Sequence, residues 1–179
     1  MATYKTISSE LAYRGQKFSV RRDVLESTDG RELIFDTVEH IGAVALVPVD
    51  AEGKILLVRQ YRHSTGNQLL ELPAGTLEPG EPVEETAQRE LREEVGMAAG
   101  SLFPLAEFYL APGYSTERMW IFLAQDLRPD ALPPDQDEEL EVVSLSLDEC
   151  MAAIASGEIE DAKTMLGLFI ARQVLPPRI

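Results

Sequence analysis

Continuous apolar runs in the first half of the chain predict several short, buried strands. Residues 41–49 (IGAVALVPV) are apolar at nearly every position, which is typical of a strand covered on both faces. A polar turn follows at 50–53, and residues 55–61 are predicted to be a second strand. A shorter strand at 69–72 ends at Pro73, and a loop rich in glycine and proline comes after it.

The first forty residues are also predicted to be extended. Residues 17–26 alternate loosely between apolar and polar side chains, and the sequence STDG at 27–30 is a turn signal. Residues 31–40 form the next predicted strand, with apolar side chains at Ile34, Phe35 and Val38. The chain therefore begins with strands joined by a tight turn.

A helix is predicted at residues 83–95, near the middle of the chain. Pro82 suits its first turn, and the acidic residues Glu84 and Glu85 suit the positive end of its dipole. Gly96 follows as a stop signal. Both ends of this helix are therefore indicated by local residues.

The second half of the chain contains further strands and helices. Strands are predicted at 102–110, 118–124 and 140–145, and the Pro- and Asp-rich segment 128–138 is expected to be a mobile loop. Helices are predicted at 148–155 and 161–174. The last helix has an apolar stripe of Met165, Leu168, Phe169 and the stem of Arg172. The whole is a mixed α/β pattern.

Composition narrows the classes of function. The chain has 179 residues, which suit one domain with a short subdomain, and a net charge of −15. Phosphate backbones repel such a surface, so nucleic acid is not an expected partner. No apolar run approaches the roughly 20 residues of a membrane span, so no membrane partner is expected. The single cysteine, Cys150, excludes an intrachain disulfide, fits a reducing cytoplasm, and is expected to be a small buried residue.

Three glutamates on the predicted central helix form the main candidate for chemistry. Glu90, Glu93 and Glu94 are related by three and four positions, so they share one helix face and repel one another. Such a cluster behind a glycine-rich loop suits a hard divalent cation, because magnesium prefers oxygen ligands. Taken alone, however, the spacing is more typical of a solvated acidic surface.

The residues that flank the three glutamates favour the cation site over a solvated acidic surface. Gly75, Glu81 and Arg89 precede the glutamates, and Gly96 follows, at every fixed position of the pattern G-x5-E-x7-R-E-U-x-E-E-x-G-U, where U is apolar. Ordinary residue frequencies give a chance match in about one in a million chains or fewer. The chain therefore resembles the Nudix hydrolase family. The resemblance implies an α/β/α sandwich with a mixed sheet over residues 41–179. It also implies a small antiparallel β subdomain at 1–40.

The resemblance also implies roles for residues of the helix. Glu90 and Glu94 would be the main metal ligands, with the carbonyl of Ala74 as a further ligand. Glu93 would bind another metal ion or its water and take part in catalysis, and Arg89 would orient the carboxylates. Gly75 and Gly96 would allow tight backbone turns. The expected metal is Mg²⁺, with Mn²⁺ as an alternative.

Outside the helix the chain is similar to the ADP-ribose pyrophosphatase branch of the family. The matching segments are VRQYR at 58–62, ELPAG at 71–75, and APGYSTER at 111–118, where Pro112 lies sixteen residues after Gly96. The likeness implies that Arg62 contacts a substrate phosphate, against the alternative of a surface ion pair. Gly113 would lie at the substrate, and Glu117 would lie near its terminal ribose or the metals; alternatively, Glu117 is a solvated charge at a loop end.

The same likeness assigns the adenine site to the N-terminal strands. Phe18 and Phe35 would stack on the base and Asp36 would bond its edge; the alternatives are two core phenylalanines and a solvent-facing aspartate. Relatives exchange this sheet in homodimers, so a homodimer is implied. The catalytic base would be Glu138 in the acidic loop DQDEELEV, with Glu139 as the alternate, because Gln136 departs from some relatives.

The function implied is magnesium-dependent hydrolysis of ADP-ribose to AMP and ribose 5-phosphate. Two alternatives remain at this point: hydrolysis of another nucleoside diphosphate sugar such as GDP-mannose, and a non-catalytic nucleotide sensor on the same fold. The intact motif favours an enzyme over the sensor.

Overall fold

The computed structural model describes residues 4–133 and 139–175, and these form two compact units. One unit lies within Met1–Gly42 and Phe108–Met119, and the other within Ala43–Glu107 and Trp120–Ile179. Among the described residues, no helix is long and apolar enough to cross a membrane.

The first unit is a three-stranded antiparallel sheet. Its strands are β1 (Lys5–Arg14), β2 (Ser19–Glu26) and β3 (Glu32–Glu39), in that order, so the predicted antiparallel N-terminal sheet is confirmed. The loop at 110–117 borders β3, because the N–H of Val38 donates to Tyr114 O at 2.8 Å and Thr116 N–H donates to Val38 O at 2.9 Å. All of β1 is exposed, including its large apolar side chains.

The second unit contains two sheets and three helices. One sheet has the order β7-β4-β9-β8 and the other has the order β10-β5-β6. The strands are β4 (Ala43–Pro48), β5 (Ile55–Arg62), β6 (Asn67–Glu71), β7 (Ala74–Thr76), β8 (Met97–Tyr109), β9 (Arg118–Pro129) and β10 (Leu140–Leu145). The helices are α1 (Val83–Glu94), α2 (Leu147–Ser156) and α3 (Ala162–Val174). Strands β8 and β9 lie almost entirely in this unit.

Strand β4 forms the centre of a helix–sheet–helix sandwich. Val44 and Leu46 pack with Ala87 and Leu91 of α1 in one core cluster. Val47 instead lies close to Gly167 of α3. Because side chains alternate across a strand, α1 and α3 cover opposite faces of β4. The six residues of β4 are all buried, as the continuous apolar run predicts.

Helix α3 differs from its predicted pattern. Phe169 is exposed, and the buried stripe consists of Thr164, Gly167, Leu168 and Ala171. The stripe is built mostly from small residues because α3 lies very close to the sheet: a Cβ at Gly167 would come within 2.6 Å of Leu72. The predicted stripe is therefore confirmed at Leu168 and wrong at Phe169.

Three strands also differ from prediction: two are longer than predicted, and one lies in a predicted loop. β8 begins at Met97, five residues early, and β9 continues to Pro129, so both strands extend beyond their apolar runs. β7 lies where a loop is predicted. The small and polar side chains of these segments carry little strand propensity, and pairing with neighbouring strands determines their conformation instead.

Cys150 is buried, as predicted. Desolvation raises the pKa of its thiol to about 12. The thiol is therefore protonated at neutral pH and is a packing group of α2.

Candidate active site

Helix α1 carries two of its glutamates into a nearly buried position. Glu90 is 8% exposed and Glu94 is 6% exposed, although both belong to a residue type that rarely lies inside a protein. Local signals fix the ends of the helix: Pro82 precedes it in an extended conformation, and Gly96 follows it with φ of 72°. The interpretation of α1 as a merely solvated acidic surface is therefore wrong.

Arg89 connects the acidic residues of this segment. Its guanidinium donates to Glu90 Oε1 at 2.6 Å, to Glu93 Oε2 at 3.0 Å, and to both carboxylate oxygens of Glu81 at 3.1 Å. A further hydrogen bond of 3.2 Å reaches the carbonyl of Thr76. The hydrogen bonds from Arg89 lower the pKa of Glu81 to about 2. One cation thus offsets the repulsion among three carboxylates and fixes their orientation.

Two contacts with β7 position the buried carboxylates. The N–H of Ala74 donates to Glu94 Oε2 at 2.9 Å. The carboxylate of Glu90 lies over Gly75 so closely that a Cβ there would come within 1.9 Å of its Cδ atom. Gly75 is not among the positive-φ glycines, so the predicted reason for this glycine, a tight turn, is wrong. The position requires glycine because the carboxylate occupies the space of a side chain.

The donors around β7 and α1 suit a hard divalent cation. No group of three or more His, Cys, Asp or Glu side chains converges as a preformed metal cage within residues 4–133 and 139–175. Magnesium does not require such a cage, because it keeps several waters and binds through one or two carboxylates plus substrate phosphates. Glu90 and Glu94, nearly buried beside the backbone of Ala74, fit that mode of binding.

A cleft of about 630 Å³ opens beside the acidic helix α1. This volume is within the usual range for a small-molecule site. The cleft is lined by Arg59, Gln68, Glu93, Glu94, Glu139, Leu140 and Glu141. The alternate predicted base, Glu139, therefore lies in the same cleft as Glu93 and Glu94. Glu138, the preferred base, lies outside the described residues.

Arg62 forms a bidentate ion pair with a buried partner. Its Nε and Nη2 atoms donate to the two carboxylate oxygens of Glu71, each at 2.8 Å, and Lys163 Nζ contacts the same carboxylate. Burial opposes ionisation of Glu71, but the hydrogen bonds and charges of Arg62 and Lys163 lower its pKa to about 2. The hydrogen bonds to Glu71 raise the pKa of Arg62, and the charge of Glu94 on α1 adds a smaller contribution in the same direction.

The low pKa of Glu71 predicts a dependence of stability on pH. Because the pKa is about 2 in the folded state against 4.5 ordinarily, the stabilisation is complete above about pH 4.5 and is lost as the pH falls through 2. The difference amounts to about 3 kcal/mol. We expect the gap in unfolding free energy between wild type and Glu71→Gln to shrink by about that amount between pH 7 and pH 2. Urea unfolding at several pH values measures it, and a gap independent of pH would contradict the assignment.

Comparison with known proteins identifies the family of this site. The NUDIX domain family matches residues 39–166. An ADP-ribose pyrophosphatase of Mycobacterium tuberculosis is 39% identical over 174 residues, 96% of this chain and 84% of that protein. The chain is a Nudix hydrolase. A GDP-mannose pyrophosphatase of Pectobacterium atrosepticum is 37% identical over 134 residues, 70% of this chain and 69% of that protein.

A solved structure agrees with this assignment at the level of the fold. The crystal structure of an ADP compounds hydrolase superposes with a TM-score of 0.85 at 31% identity, covering 95% of this chain and 92% of that one. The predicted Nudix fold, with its mixed sheet and antiparallel N-terminal sheet, is thereby confirmed. Hydrolases of this family generally need a divalent metal ion, which agrees with the oxygen donors on α1.

The substrate residues predicted for the Nudix hydrolase outside α1 are mostly in the N-terminal unit. Phe18 and Phe35 are 45% and 43% exposed, so the alternative of two core phenylalanines is wrong. Asp36 faces solvent and forms hydrogen bonds of 2.8 and 3.1 Å with Arg22. In the loop at 110–117, Gly113 is exposed and the carbonyl of Glu117 accepts from Leu110 N–H at 3.0 Å.

Sequence reasoning missed the partners of Arg62. From the sequence, Glu71 stands out only as part of the segment ELPAG, and Lys163 does not stand out at all. The available signal was an acidic residue inside a predicted buried strand, directly before Leu72. Such a residue needs a cationic partner, because an ionised carboxylate is almost never buried alone.

Proposed function

We propose that this Nudix hydrolase cleaves the diphosphate of ADP-ribose with Mg²⁺, giving AMP and ribose 5-phosphate. The observation that carries the proposal is the nearly buried pair Glu90 and Glu94, oriented by Arg89 and by the backbone of β7. Two carboxylates held this deep repel each other, and a divalent cation beside them would offset that repulsion. The substrate class is supported by the names of the relatives, which act on ADP-ribose or GDP-mannose.

Glu90, Glu94 and the carbonyl of Ala74 would hold the metal, with Glu93 as a ligand of a second ion or its water. When bound, Mg²⁺ supplies charge neutralisation of the diphosphate and a lower pKa for the attacking water. Arg89 holds the carboxylates in place between turnovers. Its contacts with Glu81, Glu90 and Glu93 support this role.

The remaining chemistry requires a base and a phosphate contact. The water oxygen would bond to one phosphorus while the bridging oxygen leaves with its electron pair, and the proton of the water passes to a carboxylate. We assign that carboxylate to Glu138, with Glu139 as the alternate because it lines the cleft beside Glu93. Arg62 would contact a phosphate, since a guanidinium matches phosphate oxygens and its pair with Glu71 fixes its orientation.

We assign adenine binding to Phe18, Phe35 and Asp36 in the N-terminal sheet, which we take to be exchanged in a homodimer. Phe18 precedes Ser19 of β2, whereas Phe35 pairs with Asp23, so the two rings are five positions apart along the sheet. That separation is about 16 Å, too far for one base to contact both in one copy. Two copies are therefore required if both rings stack on the same adenine. We assign Gly113 to substrate binding and Glu117 to a position near the terminal ribose or the metals.

This assignment predicts that Phe35→Ala raises the KM for ADP-ribose about tenfold, because stacking of a base on an aromatic ring contributes about 1–3 kcal/mol. The value of kcat should change little. Phe103→Ala is the matched control, since Phe103 is similarly exposed but lies in the other unit. Steady-state kinetics tests the assignment of adenine binding, and light scattering tests the homodimer. An unchanged KM in Phe35→Ala, or a monomer at assay concentration, would contradict them.

A panel of ADP-ribose, ADP-glucose and GDP-mannose, assayed with Mg²⁺ or with EDTA, tests the proposed substrate. We expect the highest kcat/KM with ADP-ribose and no turnover with EDTA. A preference for GDP-mannose would support the second candidate, which the GDP-mannose pyrophosphatase relative favours. Tight binding of nucleotide sugars with no phosphate product would instead indicate a sensor.

A further inference from the structure

We propose that Lys163 is a positioning residue for the substrate diphosphate, acting through Glu71 on the guanidinium of Arg62. The inference rests on the proposed function, because that function gives Arg62 a phosphate to bind. Lys163 lies on α3, outside the Nudix motif, and contacts Glu71 from 92 positions further along the chain.

Two cations of different exposure contact the same buried carboxylate. The side chain of Lys163 is 12% exposed, that of Glu71 is 2% exposed, and that of Arg62 is 36% exposed. Both oxygens of Glu71 accept from Arg62, and one of them also contacts Lys163. Glu71 therefore contacts both Lys163 and the more exposed Arg62. Lys163 thereby fixes the carboxylate to which the guanidinium of Arg62 donates.

The first turn of α3 also holds Lys163 and the residue after Glu71 in place. Asp161 caps the helix, accepting from Thr164 N–H at 2.9 Å and from Thr164 Oγ1 at 2.6 Å, and it contacts Lys163 Nζ at 2.9 Å. Thr164 Oγ1 in turn accepts from Leu72 N–H at 2.8 Å. Two consecutive residues, Glu71 and Leu72, are thus attached to the same helical turn.

Charge explains why a second cation is useful. Arg62, Glu71 and Asp161 alone would carry a net charge of −1, which would repel a phosphate. Lys163 neutralises that excess, since it contacts both carboxylates and leaves the guanidinium of Arg62 better able to attract an anion.

The backbone extends the influence of this turn of α3 to the acidic helix. The chain leads from Leu72, which is hydrogen bonded to α3, through Pro73 to Ala74, whose N–H donates to Glu94. The same helical turn therefore supports both the guanidinium of Arg62 and one of the proposed metal ligands.

The test is the kinetics of Lys163→Met with ADP-ribose and Mg²⁺. We expect KM to rise about tenfold while kcat stays within about threefold, because a misplaced binding group weakens binding more than chemistry. Lys163→Arg keeps the charge and should recover most of the loss. Lys54→Met, at an exposed lysine beside a turn, is the matched control and should behave as wild type.

A double-variant cycle separates positioning from a general structural effect. If Lys163 acts through Arg62, Lys163→Met should raise KM less than about twofold further in an Arg62→Ala background. If Lys163→Met does not fold, the double variant Glu71→Gln/Lys163→Met is used instead, because it removes both buried charges. Its KM for ADP-ribose should also rise about tenfold. An unchanged KM in a folded variant, or fully additive effects, would overturn the inference. Wild-type protein without turnover of any nucleoside diphosphate sugar would overturn the proposed function itself.

Discussion

Glu94→Gln is expected to lower kcat/KM for ADP-ribose about 1000-fold while the protein remains folded. A carboxylate that holds a divalent ion contributes several kcal/mol to transition-state stabilisation, and each 1.36 kcal/mol corresponds to a factor of about ten. Folding should survive, because the amide oxygen of glutamine can still accept the hydrogen bond that Ala74 N–H donates to Glu94. Steady-state kinetics measures the loss of kcat/KM, and thermal unfolding shows whether the variant is folded.

Glu85→Gln is the matched control for this variant. Glu85 lies in the first turn of the same helix and is exposed. The same change of charge should therefore leave kcat/KM within about twofold, as is usual for a surface substitution. Full turnover in a folded Glu94→Gln protein would show that the metal is held elsewhere.

Gly75→Ala is expected to cause the second largest loss, about 100-fold in kcat/KM. The added methyl group would come within 1.9 Å of the Glu90 carboxylate, so that carboxylate must leave its position. Displacement of a catalytic group by about 1 Å is enough for a loss of this size. Kinetics at saturating Mg²⁺, together with titration of Mn²⁺ binding, would detect both the lost activity and a weakened metal site.

The control for Gly75→Ala is Gly157→Asn at the end of α2. Gly157 has φ of 79° and open space around its missing side chain, and asparagine tolerates this conformation. A small loss of stability with unchanged activity is expected there. If Gly75→Ala keeps wild-type kinetics, the close approach of Glu90 to β7 is not needed for function.

The parts of the molecule that follow from the sequence are those with local physical signals. The bounds of α1 follow from Pro82 and Gly96, and the burial of β4 follows from its continuous apolar run. The Nudix motif also located the acidic helix, because the function of that helix fixes residue types at fixed spacings. In each case the signal lies within a few residues of the feature that it predicts.

The parts that did not follow depend on contacts between distant segments. β7 becomes a strand only because β4 lies beside it, and Gly75 is required only because Glu90 reaches over it. The buried face of α3 includes Leu168 but not Phe169, and its close approach to Leu72 requires the small residue Gly167. Lys163 and Glu71 are separated by 92 positions, and no local pattern connects them.

The proposed activity is tested most directly by following ADP-ribose with phosphorus NMR during incubation with the purified protein. With Mg²⁺ we predict that the diphosphate signals disappear and that AMP and ribose 5-phosphate form in equal amounts, whereas EDTA abolishes the reaction. Persistence of the diphosphate signals with Mg²⁺, or equal rates with EDTA, would contradict a metal-dependent diphosphatase built on Glu90 and Glu94.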